Sequence, residues 1–228
     1  MSADVEEHEG ESIFASVTDL MVGFLFIFLV LLVFFALDYR SATDALSKVT
    51  QNRASILQSV ATRLQNDHQP VSVRVDPTQG VLRLPQDLLF AKGSADLTPQ
   101  GRAALAEVAQ ALLVELQAAE HRHERVDAVL IEGHTDSDPL APGGRYADNW
   151  DLSAARAIAT YHALLTAQPE LSALKSSAGG AQAASLFGVA GYGPERPAAL
   201  GSSEEAKRLN RRIDIRLLMG TEISPTTG

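Results

Sequence analysis

Residues 13–37 read IFASVTDLMVGFLFIFLVLLVFFAL, and this stretch divides the chain. A helix rises about 1.5 Å per residue, so about 20 residues cross the hydrocarbon core of a bilayer. The run is long enough to do so with tilt to spare. It holds one acid, Asp19, and no Lys or Arg precedes Arg40. A carboxylate at the centre of a membrane helix costs about 2.5–3.5 kcal/mol, so such acids usually face a protein interior. Two readings of Asp19 stand side by side. Residues 20–37 are enough to span alone, leaving Asp19 in the headgroup layer. Ile13, Phe14 and Val17 instead continue the apolar character ahead of it, and Ser16 and Thr18 beside it suit a packed helix face.

Composition narrows the rest. The 228 residues carry a net charge of −9, and Asp4, Glu6, Glu7, Glu9 and Glu11 all precede the apolar run. Nothing resembles a basic footprint, so no nucleic-acid partner is expected. With no cysteine there is no disulfide framework, thiolate metal site or lipid-modified Cys, so the lipid bilayer is reached through the apolar helix. The acidic leader and the length of the run argue for an uncleaved signal anchor over a cleaved signal peptide. Counting Arg40, Lys48 and Arg53 by the positive-inside rule weakly places the residues after the span in the cytoplasm.

Outward from the span, residues 1–12 read as a short disordered acidic tail, 13–38 as the transmembrane helix and 39–69 as a helical connector. The domain is expected over 70–220, with a tail at 221–228. In the connector Ala42, Leu46, Val49, Ile56, Val60 and Leu64 form one apolar stripe. Self-association as a homodimer would cover that stripe, and so would packing back on the chain's own domain. Pro70 is expected to end this helix. Alternating residues either side of Pro77-Thr-Gln-Gly80 predict a hairpin, and Thr98-Pro99 a helix start with Thr as cap. Strands are expected at 126–131, 185–190 and 212–218, and a helix at about 152–165. The fold class is α/β (α+β): a mixed sheet packed on two main helices, behind a single N-terminal transmembrane helix.

The motifs then become specific. Leu89-Phe90, Gly93-Ser-Ala95, Gly133-His-Thr-Asp136, Asn149-Trp-Asp-Leu-Ser153 with Ala155-Arg-Ala157, Gly191-Tyr-Gly193, and Asn210-Arg-Arg212-Ile-Asp-Ile occur in one order. Together they resemble the OmpA-like peptidoglycan-binding domain. The resemblance implies a site for the diaminopimelate of the peptidoglycan stem peptide, with Asp136 for its ammonium and Arg156 for its carboxylate. A guanidinium fork accepts a carboxylate at two points, which explains the choice of Arg. Asn149, Leu152 and Arg212 are assigned to the same site. The plainer readings are a turn-forming Asp136 paired with Arg156, a structural His134, glycines required by the backbone and a packing Trp150. No nucleophile–base order or metal set is found, so neither an enzyme nor a cofactor is expected. The loop at 137–148, SDPLAPGGRYAD, is longer than the family's usual turn and would reshape or cover the site.

A peptidoglycan-binding domain lies outside the inner membrane, which reverses the charge-based orientation and puts the N-terminus in the cytoplasm. A helix with one early acid joined to such a domain resembles the B subunits of ion-driven stators. There a B homodimer stands inside a pentameric ring of polytopic A subunits. The flagellar MotB group is matched imperfectly, for its basic tail and its Trp and Ala-Asp-Phe-Met context are missing. Ser16-Val-Thr-Asp-Leu-Met21 and the Phe/Leu-rich remainder look more like the ZorB group of Zorya anti-phage systems. That resemblance implies ion passage, most simply of a proton, at Asp19. The competing expectations are a flagellar stator subunit and a passive tether from membrane to cell wall.

Overall fold

A hydrophobic core closes between one face of a mixed sheet and the helices laid on it in this computed structural model, which describes residues 3–66, 73–178 and 184–220. The chain forms two units, residues 1–47 and 48–228. Helix α1, Ala3–Asn66, contributes to both, and it begins within the stretch expected as a disordered tail, so residues 3–12 continue the helix of the apolar run. In the first unit the large apolar side chains are open, from 48% exposure at Val17 to 71% at Tyr39. A soluble helix does not leave a continuous ring of Phe, Leu and Val in water, so this is a candidate single membrane span by length and composition.

In the second unit the last turns of α1 belong to the core. Ile56, Leu57, Val60, Ala61 and Leu64 are at most 2% exposed, and Arg63 pairs with the buried Glu115 at 2.7 Å. The stripe read along residues 42–64 thus divides: Ile56, Val60 and Leu64 are covered by the chain's own domain, while Leu46 is 59% exposed. Of the two partners the sequence allowed, the structure supplies the intramolecular one for that half. Pro70 and the first residues of the expected hairpin lie outside the described residues, as does the tail at 221–228.

The sheet comprises β1 (Arg74–Asp76), β2 (Val81–Pro85), β3 (Val126–His134), β4 (Phe187–Gly191) and β5 (Arg212–Met219), in the order β1-β2-β5-β3-β4. Only β3 and β4 run parallel. Helix α3 (Pro99–His121) begins as expected, with the Thr98 hydroxyl accepting from the Gly101 amide at 2.8 Å. Helix α4 (Asn149–Ala167) starts earlier than expected because Asp148 caps it, accepting from the Asp151 amide. Short helices α2 (Gln86–Leu89) and α5 (Glu204–Asn210) were not expected. Two glycines let α4 reach the sheet. A Cβ on Gly133 would overlap the Ser153 carbonyl, and one on Gly191 would stand 2.6 Å from the Ala154 nitrogen.

Strand residues alternate sides, so Ile213, Ile215 and Leu217 face the helices and Arg212, Asp214 and Arg216 the reverse. On that reverse face Arg216 holds Glu132 at two points, 2.9 and 2.8 Å, and Arg212 holds Asp214 at 3.0 Å. His134 lies among them, 2% exposed and stacked on Tyr192. Burial, reinforced by the charges of Arg212, Arg196, Arg216 and Arg83, pulls its imidazole down to about 3.

Leu57→Ala should cost about 2–5 kcal/mol of unfolding free energy and Leu46→Ala, on the open half of the stripe, under about 0.5, read from denaturant melts of the detergent-solubilised chain. A second expectation concerns pH. Between about pH 6.5 and 3 an unfolded His134 is protonated while the folded one stays neutral. Stability is therefore complete above that window and falls through it by up to about 1.4 kcal/mol per pH unit. Melts across this range should show that extra slope in the natural chain and not in His134→Gln.

Candidate functional site

Where β3 ends, the chain turns outward and α4 begins, and a cavity of about 610 Å³ opens between them and α2. The Thr135 amide donates to the Gly193 carbonyl at 3.0 Å, which fixes the turn carrying Asp136. Asn149 donates to the carbonyls of Asp138 at 2.8 Å and Asp136 at 3.4 Å, tying the loop to the first turn of α4. Leu152 and Arg156 lie further along the same helix, 3% exposed each. Asp136, Asn149, Leu152 and Arg156 all line the cavity.

Arg156 is the unusual member. Its Nε donates to the Ser94 carbonyl at 2.9 Å and its Nη1 to the Gln86 side chain, with the Phe90 ring 5.5 Å from its guanidinium carbon. Among the described residues no carboxylate lies within ion-pair distance of it. Burial lowers its pKa to about 10, which leaves it cationic at neutral pH. A desolvated cation held only by neutral acceptors, and lining a cavity, can accept an anion.

Asp136 is not its partner. One carboxylate oxygen accepts from Arg211 at 2.7 Å, the other from the Asp138 amide at 3.2 Å. The hydrogen bond to Asp136 raises the Arg211 pKa. Arg211, at the end of α5, lines the cavity, and sequence reasoning missed it. Arg212, which was assigned there, is instead buried on the reverse face of the sheet. Its fork donates to Asp214, to the Asn210 carbonyl and to the Arg196 carbonyl. Strand parity explains the exchange: Arg212 shares its side with Asp214 and Arg216, and its neighbour precedes the strand.

The long loop forms a wall of the cavity, to which Asp138, Pro139 and Leu140 contribute. Lys207 grips Asp138 at 2.8 Å, Arg145 pairs with Asp96 at 3.1 Å, and the Ala95 amide donates to the Tyr146 hydroxyl at 3.0 Å. Elsewhere, Glu132, His134 and Asp214 present ligand atoms within 4.8 Å of one another. Sequence spacing hid this group, because Asp214 arrives across strands opposite Glu132. It does not fit a divalent cation. Guanidinium groups of Arg216, Arg212 and Arg83 already hold both carboxylates.

Motility protein B of Bacillus subtilis is 31% identical over 90 residues, 40% of this chain and 30% of that protein. Probable lipoprotein YiaD of Escherichia coli is 30% identical over 147 residues, 64% of this chain and 55% of that protein. The chain thus matches less than two thirds of the length of these relatives. A crystal structure of a putative MotB-like protein from Desulfovibrio vulgaris shares the fold, with a TM-score of 0.56 at 24% identity over 76% of this chain and 98% of that one. The family model described as the OmpA family matches residues 89–211, more than half of the chain, and takes in α3, α4 and every cavity residue from Phe90 to Arg211. The chain belongs to the OmpA family.

Proposed function

We propose that the cavity anchors this protein to the cell wall by taking the zwitterionic end of the peptidoglycan stem peptide. The buried, anion-free guanidinium of Arg156 carries the reading. A carboxylate entering the cavity supplies the charge that Arg156 lacks. The adjacent ammonium meets Asp136, whose Oδ1 accepts one backbone hydrogen bond and keeps a free lone pair. Asn149 and Leu152 shape the wall between them, and Arg211 steadies Asp136.

Around that anchor we read a B subunit of an inner-membrane stator, with its N-terminus cytoplasmic and its OmpA-like domain periplasmic. Family membership and the similarity to Motility protein B support it, as does the apolar helix with its single acid. In this reading two copies stand inside a pentameric ring of polytopic A subunits, and a proton passing by way of Asp19 drives rotation. A proton moving down 100 mV releases about 2.3 kcal/mol, enough to bias a step. The sequence around Asp19 favours a Zorya-type anti-phage role. The match to Motility protein B keeps a flagellar-type stator as the second reading. A passive tether is the third.

Arg156→Ala should weaken binding to purified sacculi about ten- to hundred-fold, the value of a charge-assisted hydrogen-bond pair, and Arg156→Lys should fall between. Unchanged co-sedimentation of both variants would remove the anchoring assignment. Asp19→Asn should abolish phage protection in a plaque assay while leaving membrane abundance and assembly intact. Full protection by that variant would leave only the tether.

A further inference from the structure

We propose that the indole of Trp150 is a stacking platform for a sugar ring of the glycan strand, beside the cavity that takes the stem peptide. This rests on the wall-binding reading and extends it from the peptide to the saccharide. Trp150 is the chain's single tryptophan and stays 48% exposed on the first turn of α4, between the cavity residues Asn149 and Leu152. Packing alone does not account for so open an indole, since each Å² left in water forgoes about 25 cal/mol.

The underside of the ring is fixed. Gly193 has φ +52°, and a Cβ there would stand 3.4 Å from Cγ, Cδ1 and Cδ2 alike, so this glycine lies over the pyrrole half of the indole. The Gly193 amide donates to the Ser153 hydroxyl at 2.9 Å, and its carbonyl accepts from the Thr135 amide at 3.0 Å. The same residue therefore backs Trp150 and holds the Asp136 turn. A planar apolar ring, backed by rigid backbone and open in front, is pre-organised for a flat partner with an apolar face. The C–H face of a hexopyranose has that shape. The stem spans only about 3.5 Å per residue, so a peptide end seated in the cavity leaves its sugar at the rim.

Tryptophan fluorescence of the detergent-purified chain reports this one ring. Three probes separate the arms: an N-acetylglucosamine oligosaccharide, a sugar-free stem tripeptide, and a muropeptide carrying both parts. The oligosaccharide and the muropeptide should shift the emission. Trp150→Ala should weaken the muropeptide about three- to ten-fold while leaving the tripeptide unchanged, and Trp150→Phe should restore most of the loss. The platform is overturned if muropeptide and tripeptide bind alike to the natural chain and to Trp150→Ala with emission unmoved by the oligosaccharide. A change in copy number, without loss of muropeptide, would likewise overturn it in favour of a protein interface. If the tripeptide fails to bind at all, the anchoring reading fails instead, and the oligosaccharide titration still decides the platform.

Discussion

The approach of α4 to the ends of β3 and β4 is the constraint on which the site depends. A helix normally stands off a sheet by the length of the side chains between them. Here Gly133 and Gly191 remove those side chains, and the second turn of α4 comes down at Ser153 and Ala154 onto bare strand backbone. That contact sets Asn149, Leu152 and Arg156 beside the Asp136 turn. Any Cβ at Gly133 would lift the helix and separate the acid from the guanidinium. Close packing of this kind transmits displacement instead of absorbing it.

The sheet's two faces solve different problems. One is sealed by leucines, isoleucines and valines against α3, α4 and the end of α1. The other closes, among the described residues, with side chains of opposite charge. Arg83 bridges Asp76 and Asp214, Arg212 takes Asp214 from the other side, and Arg216 takes Glu132. Replacing such a lattice with apolar groups is often neutral, yet removing one partner strands a buried charge. Arginine suits the task because its long stem covers the strand while its fork reaches a carboxylate. His134 remains neutral there chiefly because it is buried, and the four guanidinium groups of Arg212, Arg196, Arg216 and Arg83 add to that.

How far the sequence could be read depends on how local each signal is. The strand read at 126–131, the alternation at 212–218 and the Thr98-Pro99 start state a structure within a few residues, and all three elements form. A stripe over residues 42–64 states that a face is buried without naming its cover, and Leu46 and Leu64 look identical until the fold separates them. Helix α5 escaped notice because its seven residues are mostly charged or polar and bury only Ala206 and Asn210. The placement of Arg212 failed for a further reason. Two identical residues adjoin at the start of a strand, and only the parity of Ile213, Ile215 and Leu217 tells which one turns to the cavity.

Under the wall-binding reading, that exchange also keeps Arg156 available for an incoming carboxylate. Had Arg156 closed on Asp136, an incoming zwitterion would first have to break a part-buried ion pair, leaving both charges stranded while it did so. Arg211 prevents this by engaging Asp136 from the solvent side, where 24% of its own side chain is exposed. Arg156 is left to two neutral acceptors and an aromatic ring, which fix its direction without neutralising it. Opposite charges are thus held apart on two rigid elements, α4 and the turn after β3. The cost of keeping them apart is met in folding, before any ligand arrives, so under the wall-binding reading Arg156 has no carboxylate to give up when one enters.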